Sequence, residues 1–136
     1  MKAYCLGSSS SGNCFVLTFE KKNDKNEITY TRSIMVECGF SLKDIMLRMM
    51  SYNLSLNDIE CCLITHGHQD HCKGMRELEK RQIPVFATKT TLQDTKPHYH
   101  DILLEKDICV APGLFINAFD VEHDIEGSVG FIIYCK

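Results

Sequence analysis

Residues 60–71 read ECCLITHGHQDH, and this stretch constrains the chain more than any other. ECCLIT (60–65) is an apolar run without polar alternation, the pattern of a strand buried on both faces of its sheet. His66, His68, Asp70 and His71 follow within six residues. In α/β sheets, ligands bind beyond the carboxyl ends of the strands. The two-residue step from His66 to His68 lets two imidazoles converge on one ion from an extended loop. Asp70 and His71 open the next turn and can face a second position. Imidazole with carboxylate is a borderline donor set that suits Zn²⁺ best, with Mn²⁺ or Fe²⁺ as alternatives. A lone histidine here would read as a surface loop residue; four donors directly behind an apolar strand read as a metal cluster. By themselves they could serve two ions, one or none.

The rest of the composition sets bounds. The 136 residues suffice for one domain, 1–136, with a single core. A net charge of −3 argues against a strongly basic nucleic-acid module but not against an enzyme that handles nucleic acid in a local cleft. The N-terminus MKAYCLGSSSSGN has no apolar signal core, and no segment approaches the ~20 apolar residues of a membrane helix. A cytoplasmic protein without membrane attachment is expected. Eight cysteines without a C-x-x-C pair are expected to be reduced. Cys14, Cys38, Cys61, Cys62, Cys109 and Cys135 lie in apolar runs and read as small core hydrophobes. Cys72 stands apart because it adjoins His71.

Strands are expected at 2–6, 14–20 and 32–37, with a hairpin connection across the polar 21–30. SLKDIMLRMMSYN (41–53) is the clearest helix, with capping-box spacing from Ser41 to Asp44 and Leu42, Ile45, Met46 and Met49 on one face. A capped turn at 55–58, the strand 60–65, a helix at 72–81, a strand at 83–88 and a short helix from Thr90 that Pro97 ends follow. Three late runs, 107–111, 114–122 and 128–135, read as strands. Strands, then βα alternation, then strands again indicate a layered α/β sandwich.

THGHQDH resembles the signature of the metallo-β-lactamase fold superfamily at every ligand position. GSSSSGN (7–13), VECGFSLKDI (36–45), THGHQDHCKG (65–74) and FDVEHDIEGSVGFII (119–133) occur in the same order as in its YycJ/WalJ-like branch of metal-dependent hydrolases related to exonucleases. The resemblance implies an α/β fold, a metallo-β-lactamase-like αββα sandwich of which the chain supplies the first, N-terminal half, ending after the third-motif histidine. It assigns His66, His68 and His123 to a first metal site, and Asp70 and His71 to part of a second. Asp70 would position the attacking water and take up its proton. Asp124 would be a loop or supporting residue. The glycine–serine loop has two readings. It is either a tight turn in which Gly7 and Gly12 permit positive φ or an oxyanion-binding rim that includes Ser9. Asn13 would fix it through hydrogen bonds to backbone.

Two departures stand out. Glu37 occupies the place of an aspartate that usually orients the metal loop, one methylene longer. A second half carrying a bridging aspartate and a final histidine is not found before Lys136, so the chain supplies a full ligand set for one metal only. His98 and His100, in PHYH, read as exposed loop residues. Three functions follow. The first is a metal-dependent hydrolase using Zn²⁺ (one or two ions), acting on phosphodiesters, with nucleic acid as substrate. The second is a non-catalytic half-domain that needs a partner or the missing half. The third is a structural zinc module, disfavoured because such sites are closed and cysteine-rich. Apolar faces on the late strands imply self-association, most simply as a homodimer.

Overall fold

The computed structural model describes residues 1–122 and 125–136. Its strands are β1 (Lys2–Ser9), β2 (Gly12–Lys22), β3 (Ile28–Val36), β4 (Ile59–Leu63), β5 (Val85–Ala87), β6 (Tyr99–Asp101), β7 (Asp107–Ala111), β8 (Leu114–Asp120) and β9 (Val129–Cys135). The helices are α1 (Leu42–Met50), α2 (Gln69–Cys72), α3 (Met75–Lys80) and α4 (Lys89–Leu92), with a 3₁₀ turn at Leu56–Asp58. The first six strands form one sheet in sequence order, and β7–β8–β9 form a second. β1, β2 and β3 pair antiparallel as hairpins, whereas β3 through β6 run parallel.

The apolar run around β4 is buried on both faces, and the side-chain period of two shows how. Cys61 and Leu63 join Ile34 and Phe86 in a core shared with Leu114, Ile116 and Ala118 of β8. Cys62 and Ile64 face the other way, into a second core with Val16, Met35 and Val85. Leu42, Ile45 and Met49 of α1 and Met75 and Leu78 of α3 close that side. The result is a helix layer, a six-stranded sheet and a three-stranded sheet, stacked. The methionine-bearing face of α1 is core, as its periodicity predicts. Two of the three cap-spaced pairs form caps: Ser41 Oγ accepts from the Asp44 N–H at 3.3 Å, and the Ser55–Asp58 capping box is complete, whereas Thr90–Gln93 does not, since α4 starts from Thr88 without a side-chain cap and Gln93 ends it.

Several expectations are corrected. The helix predicted over 72–81 is two helices, because the Gly74 N–H donates to the Cys38 carbonyl at 2.8 Å rather than staying within one helix. α4 ends at Gln93, in a left-handed conformation (φ 61°), before Pro97 is reached. PHYH is not simply loop: Tyr99–Asp101 form the edge strand β6, parallel to β5, too short to show an alternation in sequence. The GSSSSGN stretch is a hairpin whose strands reach Ser9 and Gly12. Positive φ is not the reason for its glycines, since Gly113 and Gly127 are the positive-φ glycines of the described residues. A Cβ on Gly7 or Gly12 would lie 2.4 Å or 2.2 Å from the Phe40 ring, so both are needed for close packing. Cys14, Cys38, Cys61 and Cys62 are buried as expected, but Cys109 and Cys135 are exposed. Cys109 lies on the outward side of the second sheet, and Cys135 at the end of its strand.

The two-sheet core makes a direct prediction. Leu114 is fully buried between the sheets, whereas Ile132 on the outer side is 56% exposed. Leu114→Ala should cost about 2–5 kcal/mol of unfolding free energy, as buried leucine truncations do. Ile132→Ala should cost less than about 0.5 kcal/mol in the monomer. Urea unfolding of the two variants checks the difference.

Candidate metal centre

The chain leaves β4 through Ile64, Thr65, His66, Gly67 and His68. Ile64 keeps the ladder going, its N–H donating to the Phe86 carbonyl at 3.0 Å. Thr65 is tied on every side. Its N–H donates to Glu37 Oε1 at 2.7 Å, its hydroxyl meets His66 Nδ1 at 2.7 Å, and its carbonyl accepts from the Val129 N–H at 2.8 Å. The two sheets therefore meet on one residue at the root of the loop. His68 is extended and caps α2, whose single turn carries Asp70 and His71 back over the loop. The ring centroids of His66 and His68 are 4.9 Å apart, and those of His66 and His71 are 4.1 Å apart. Asp70 Oδ2 lies 3.3 Å from His71 Nε2. All four residues selected from sequence lie beyond the carboxyl end of β4, but among the described residues only His66 and His71 share a set of ligand atoms within 4.8 Å of one another, with Glu37 as the third member.

Glu37 underlies this arrangement. It is only 4% exposed and adopts a left-handed backbone (φ 66°), unusual for a residue with a side chain. Such a conformation costs of order 1–3 kcal/mol and persists only where its surroundings enforce it. Here the Glu37 N–H donates to the Leu63 carbonyl at 2.8 Å. One carboxylate oxygen takes the Thr65 N–H, and the other takes Nδ1–H of His71. Burial pushes the Glu37 carboxyl above its usual range, while the Thr65 N–H and His71 pull it back down. Ligand atoms of Glu37, His66 and His71 all lie within 4.8 Å of one another. The Glu37 carboxylate thus lies against His71 while keeping its hold on the loop.

Asn13 does more than fix the hairpin. Its Nδ2 donates to the Ser9 carbonyl at 2.8 Å, and it also reaches the Asp70 carbonyl and Asp70 Oδ2, both at 3.2 Å. Ser9 itself is exposed, with its hydroxyl on Ser11 at 2.8 Å. Two residues escaped the sequence reading. Thr65 gave only the signal of preceding His66. Gly39 signals itself only as the glycine of VECG, yet a Cβ there would lie 1.8 Å from the Asp70 carbonyl oxygen. Backbone bonds from Cys38 N–H to His71 O at 2.8 Å and Gly39 N–H to Asn13 O at 2.9 Å complete this interleaving.

The remaining candidates fall elsewhere. Cys72 is buried, its thiol pushed up to about 11 mainly by burial and its S–H directed at the Gly67 carbonyl at 3.4 Å. Burial likewise raises the Cys61 thiol to about 12. Protonated thiols of this kind pack rather than ligate. His100 is on β6 and stacks on Phe86 at 4.8 Å, and the His98 N–H donates to Glu79 at 3.3 Å, so neither joins the cluster. His123 and Asp124 lie outside the described residues. The segment that follows them approaches the loop, since Ile125 would be 3.7 Å from a Cβ on Gly67. Imidazoles beside carboxylates, with a buried acid holding one ring's far nitrogen, fit a divalent ion of the zinc type.

A family model described as Anti-Pycsar protein Apyc1 matches residues 1–107. The chain belongs to that family. Curated relatives are exodeoxyribonuclease YycJ of Bacillus anthracis and exodeoxyribonuclease WalJ of Streptococcus pneumoniae. YycJ is 28% identical over 128 residues, covering 88% of this chain and 44% of its own. WalJ is 33% identical over 89 residues, covering 65% and 29%. The chain spans less than half the length of either relative. Among solved structures, the subclass B3 metallo-β-lactamase MEM-A1 from a soil metagenome superposes with a TM-score of 0.70 at 14% identity, over 98% of this chain and 55% of that one. A Cronobacter sakazakii metallo-β-lactamase gives 0.70 at 12%, over 96% and 51%. The fold is thus that of the metallo-β-lactamases, matched over about half of their length.

Glu37→Ala would leave the part-buried Thr65 N–H and His71 Nδ1–H without their acceptor. A loss of about 1–3 kcal/mol in stability is expected, together with a metal affinity lowered about 10–100-fold through misorientation of His71. Thermal unfolding and competition for Zn²⁺ with a chromophoric chelator measure the two effects.

Proposed function

We propose that this chain carries the metal-binding part of a nuclease-like, metal-dependent phosphodiesterase. The gathering of His66 and His71 over the buried Glu37, with His68 beside His66 and Asp70 beside His71 beyond the end of β4, is the observation that carries this reading. The exodeoxyribonuclease names of the relatives support a phosphodiester, with nucleic acid as substrate, over a β-lactam. His66, His68 and His123 would hold the first ion, and Asp70 with His71 would contribute to a second. Zn²⁺ suits these donors, with Mn²⁺ or Fe²⁺ as alternatives. When bound, such an ion polarises a phosphoryl oxygen and lowers the pKa of water toward neutrality.

The chain's own residues do the remainder. Asp70, oriented by Asn13 at 3.2 Å, takes the proton released on attack. Glu37 keeps a proton on Nδ1 of His71 and so leaves Nε2 as the ligating atom. Asp124 would support the loop, and the serine hairpin with Ser9 would form the rim. Eight free cysteines accord with a reducing cytoplasmic setting. Among the described residues, no helix is long and apolar enough to cross a membrane. A second reading is a half-domain that binds one ion without turnover. It is favoured by a single cluster of three metal-binding side chains among the described residues.

Turnover of bis(p-nitrophenyl) phosphate with added Zn²⁺ or Mn²⁺, lost in His66→Ala, is the expected result, with no hydrolysis of nitrocefin. Binding of one ion with no diester turnover supports the half-domain, and rapid nitrocefin turnover overturns the substrate class.

We also propose self-association. The outer side of β8 and β9 presents Phe119 (40% exposed) and Ile132 (56% exposed) beside the stacked Phe115 and Tyr134 rings. Among the described residues, no helix follows β6 to cover them. A second copy packed on this face would remove that apolar surface from water. Light scattering at micromolar protein is expected to give twice the 15.5 kDa chain mass, and a persistent monomer refutes it.

A further inference from the structure

Beside the metal loop lies a groove of about 180 Å³ that the chemistry above does not use. It runs between α2–α3 and the end of α4, and Gly67, Gln69, Lys73, Arg76, Thr91 and Gln93 contribute to its lining. Gly67 and Gln69 belong to the H-G-H-Q-D-H loop itself, so the groove opens from the same loop that gathers the histidines. Its character is that of a phosphate seat. It offers an ammonium, a guanidinium, two carboxamides and a hydroxyl, and no carboxylate lines it.

The two cations can both be recruited. Lys73 is exposed and forms no ion pair among the described residues. Arg76 has one carboxylate partner, Asp94, at 3.6 Å, and Asp94 is shared with Lys96 at 3.8 Å. Exposed pairs at such distances are weak and separable. The local charge also departs from that of the whole chain. Residues 69–96 carry six Lys and Arg against four Asp and Glu, in a chain of net charge −3. A small recess that bears two cations and no carboxylate, next to the histidine cluster, has the charge to seat a phosphate. Phosphate contacts of this type set the register of a nucleic acid without reading its bases.

We propose that this groove binds a non-scissile phosphate of an oligonucleotide whose scissile phosphodiester lies at the metal centre. The inference rests on the phosphodiesterase reading and narrows it to substrates with at least two phosphates. It places Lys73 and Arg76 in substrate positioning.

The test uses a fluorescent, phosphorothioate-linked oligodeoxythymidylate, which resists hydrolysis, and the protein as purified. Anisotropy should show binding that weakens with salt. Lys73→Gln and Arg76→Gln should each lower affinity at least about threefold, with the salt slope reduced by close to one counterion per cation removed. Lys73→Arg should bind like the parent. Lys43→Gln, exposed on α1, is the control and should be unaffected. No binding by the parent protein, a double variant that binds as the parent does, or an equal loss in Lys43→Gln overturns the proposal. The two readings fail separately. Loss of oligonucleotide binding in the variants, with no diester turnover by the metal-loaded parent, upholds the groove and removes the hydrolase. Diester turnover with unchanged oligonucleotide binding in the variants does the reverse.

Discussion

The site depends on one buried carboxylate. Glu37 sits where β3 ends, in a backbone conformation that side chains avoid, and its two oxygens are spent on Thr65 and His71. Unpaired, that carboxylate would be among the costliest groups in the fold. Paired, it joins the end of one strand to the start of the metal loop and to the helix turn beyond. A charge-assisted hydrogen bond in a dry setting is strong enough to keep an imidazole in one orientation without help from an ion. The interleaved backbone bonds through Cys38, Gly39 and Asn13 then repeat the same connection in neutral form.

The fold was legible where its signals were periodic. The α1 stripe, the caps at Ser41 and Ser55 and the two-faced burial of β4 all follow from residue spacing. β6 was not legible, because its three residues, two of them polar, establish no period. β6 is fixed by pairing with β5, and the break before α3 by a hydrogen bond to a distant loop. The glycines of the first hairpin show a related limit. Sequence suggests backbone freedom for Gly7 and Gly12, but what matters is an aromatic ring from residue 40.

For the site, the histidine-rich loop was plain because His66, His68, Asp70 and His71 fall within six residues, and the structure gathers two of them, His66 and His71, with Glu37. What supports it was only half visible. Glu37 and Asn13 could be proposed from their motifs, but the left-handed backbone at Glu37 and the contact that excludes any side chain at Gly39 arise where the chain meets segments distant in sequence, Leu63 and Thr65 for the first and Asp70 for the second. Cysteine burial divided the same way. Strands covered on both faces hide their thiols, whereas the second sheet leaves Cys109 in the open.

The bond from the Val129 N–H to the Thr65 carbonyl has a consequence for how the molecule opens. Thr65 receives the second sheet on its carbonyl and presents the Glu37-bound N–H on its other side, within one residue of His66. Separating the sheets therefore strips an anchor from the metal loop, and loosening the loop releases the start of β9. The seam between the sheets and the histidine loop are thus joined at one residue, and their opening is expected to be coupled in native-state hydrogen exchange. By linkage, whatever holds the loop closed is expected to slow exchange at the start of β9 as well.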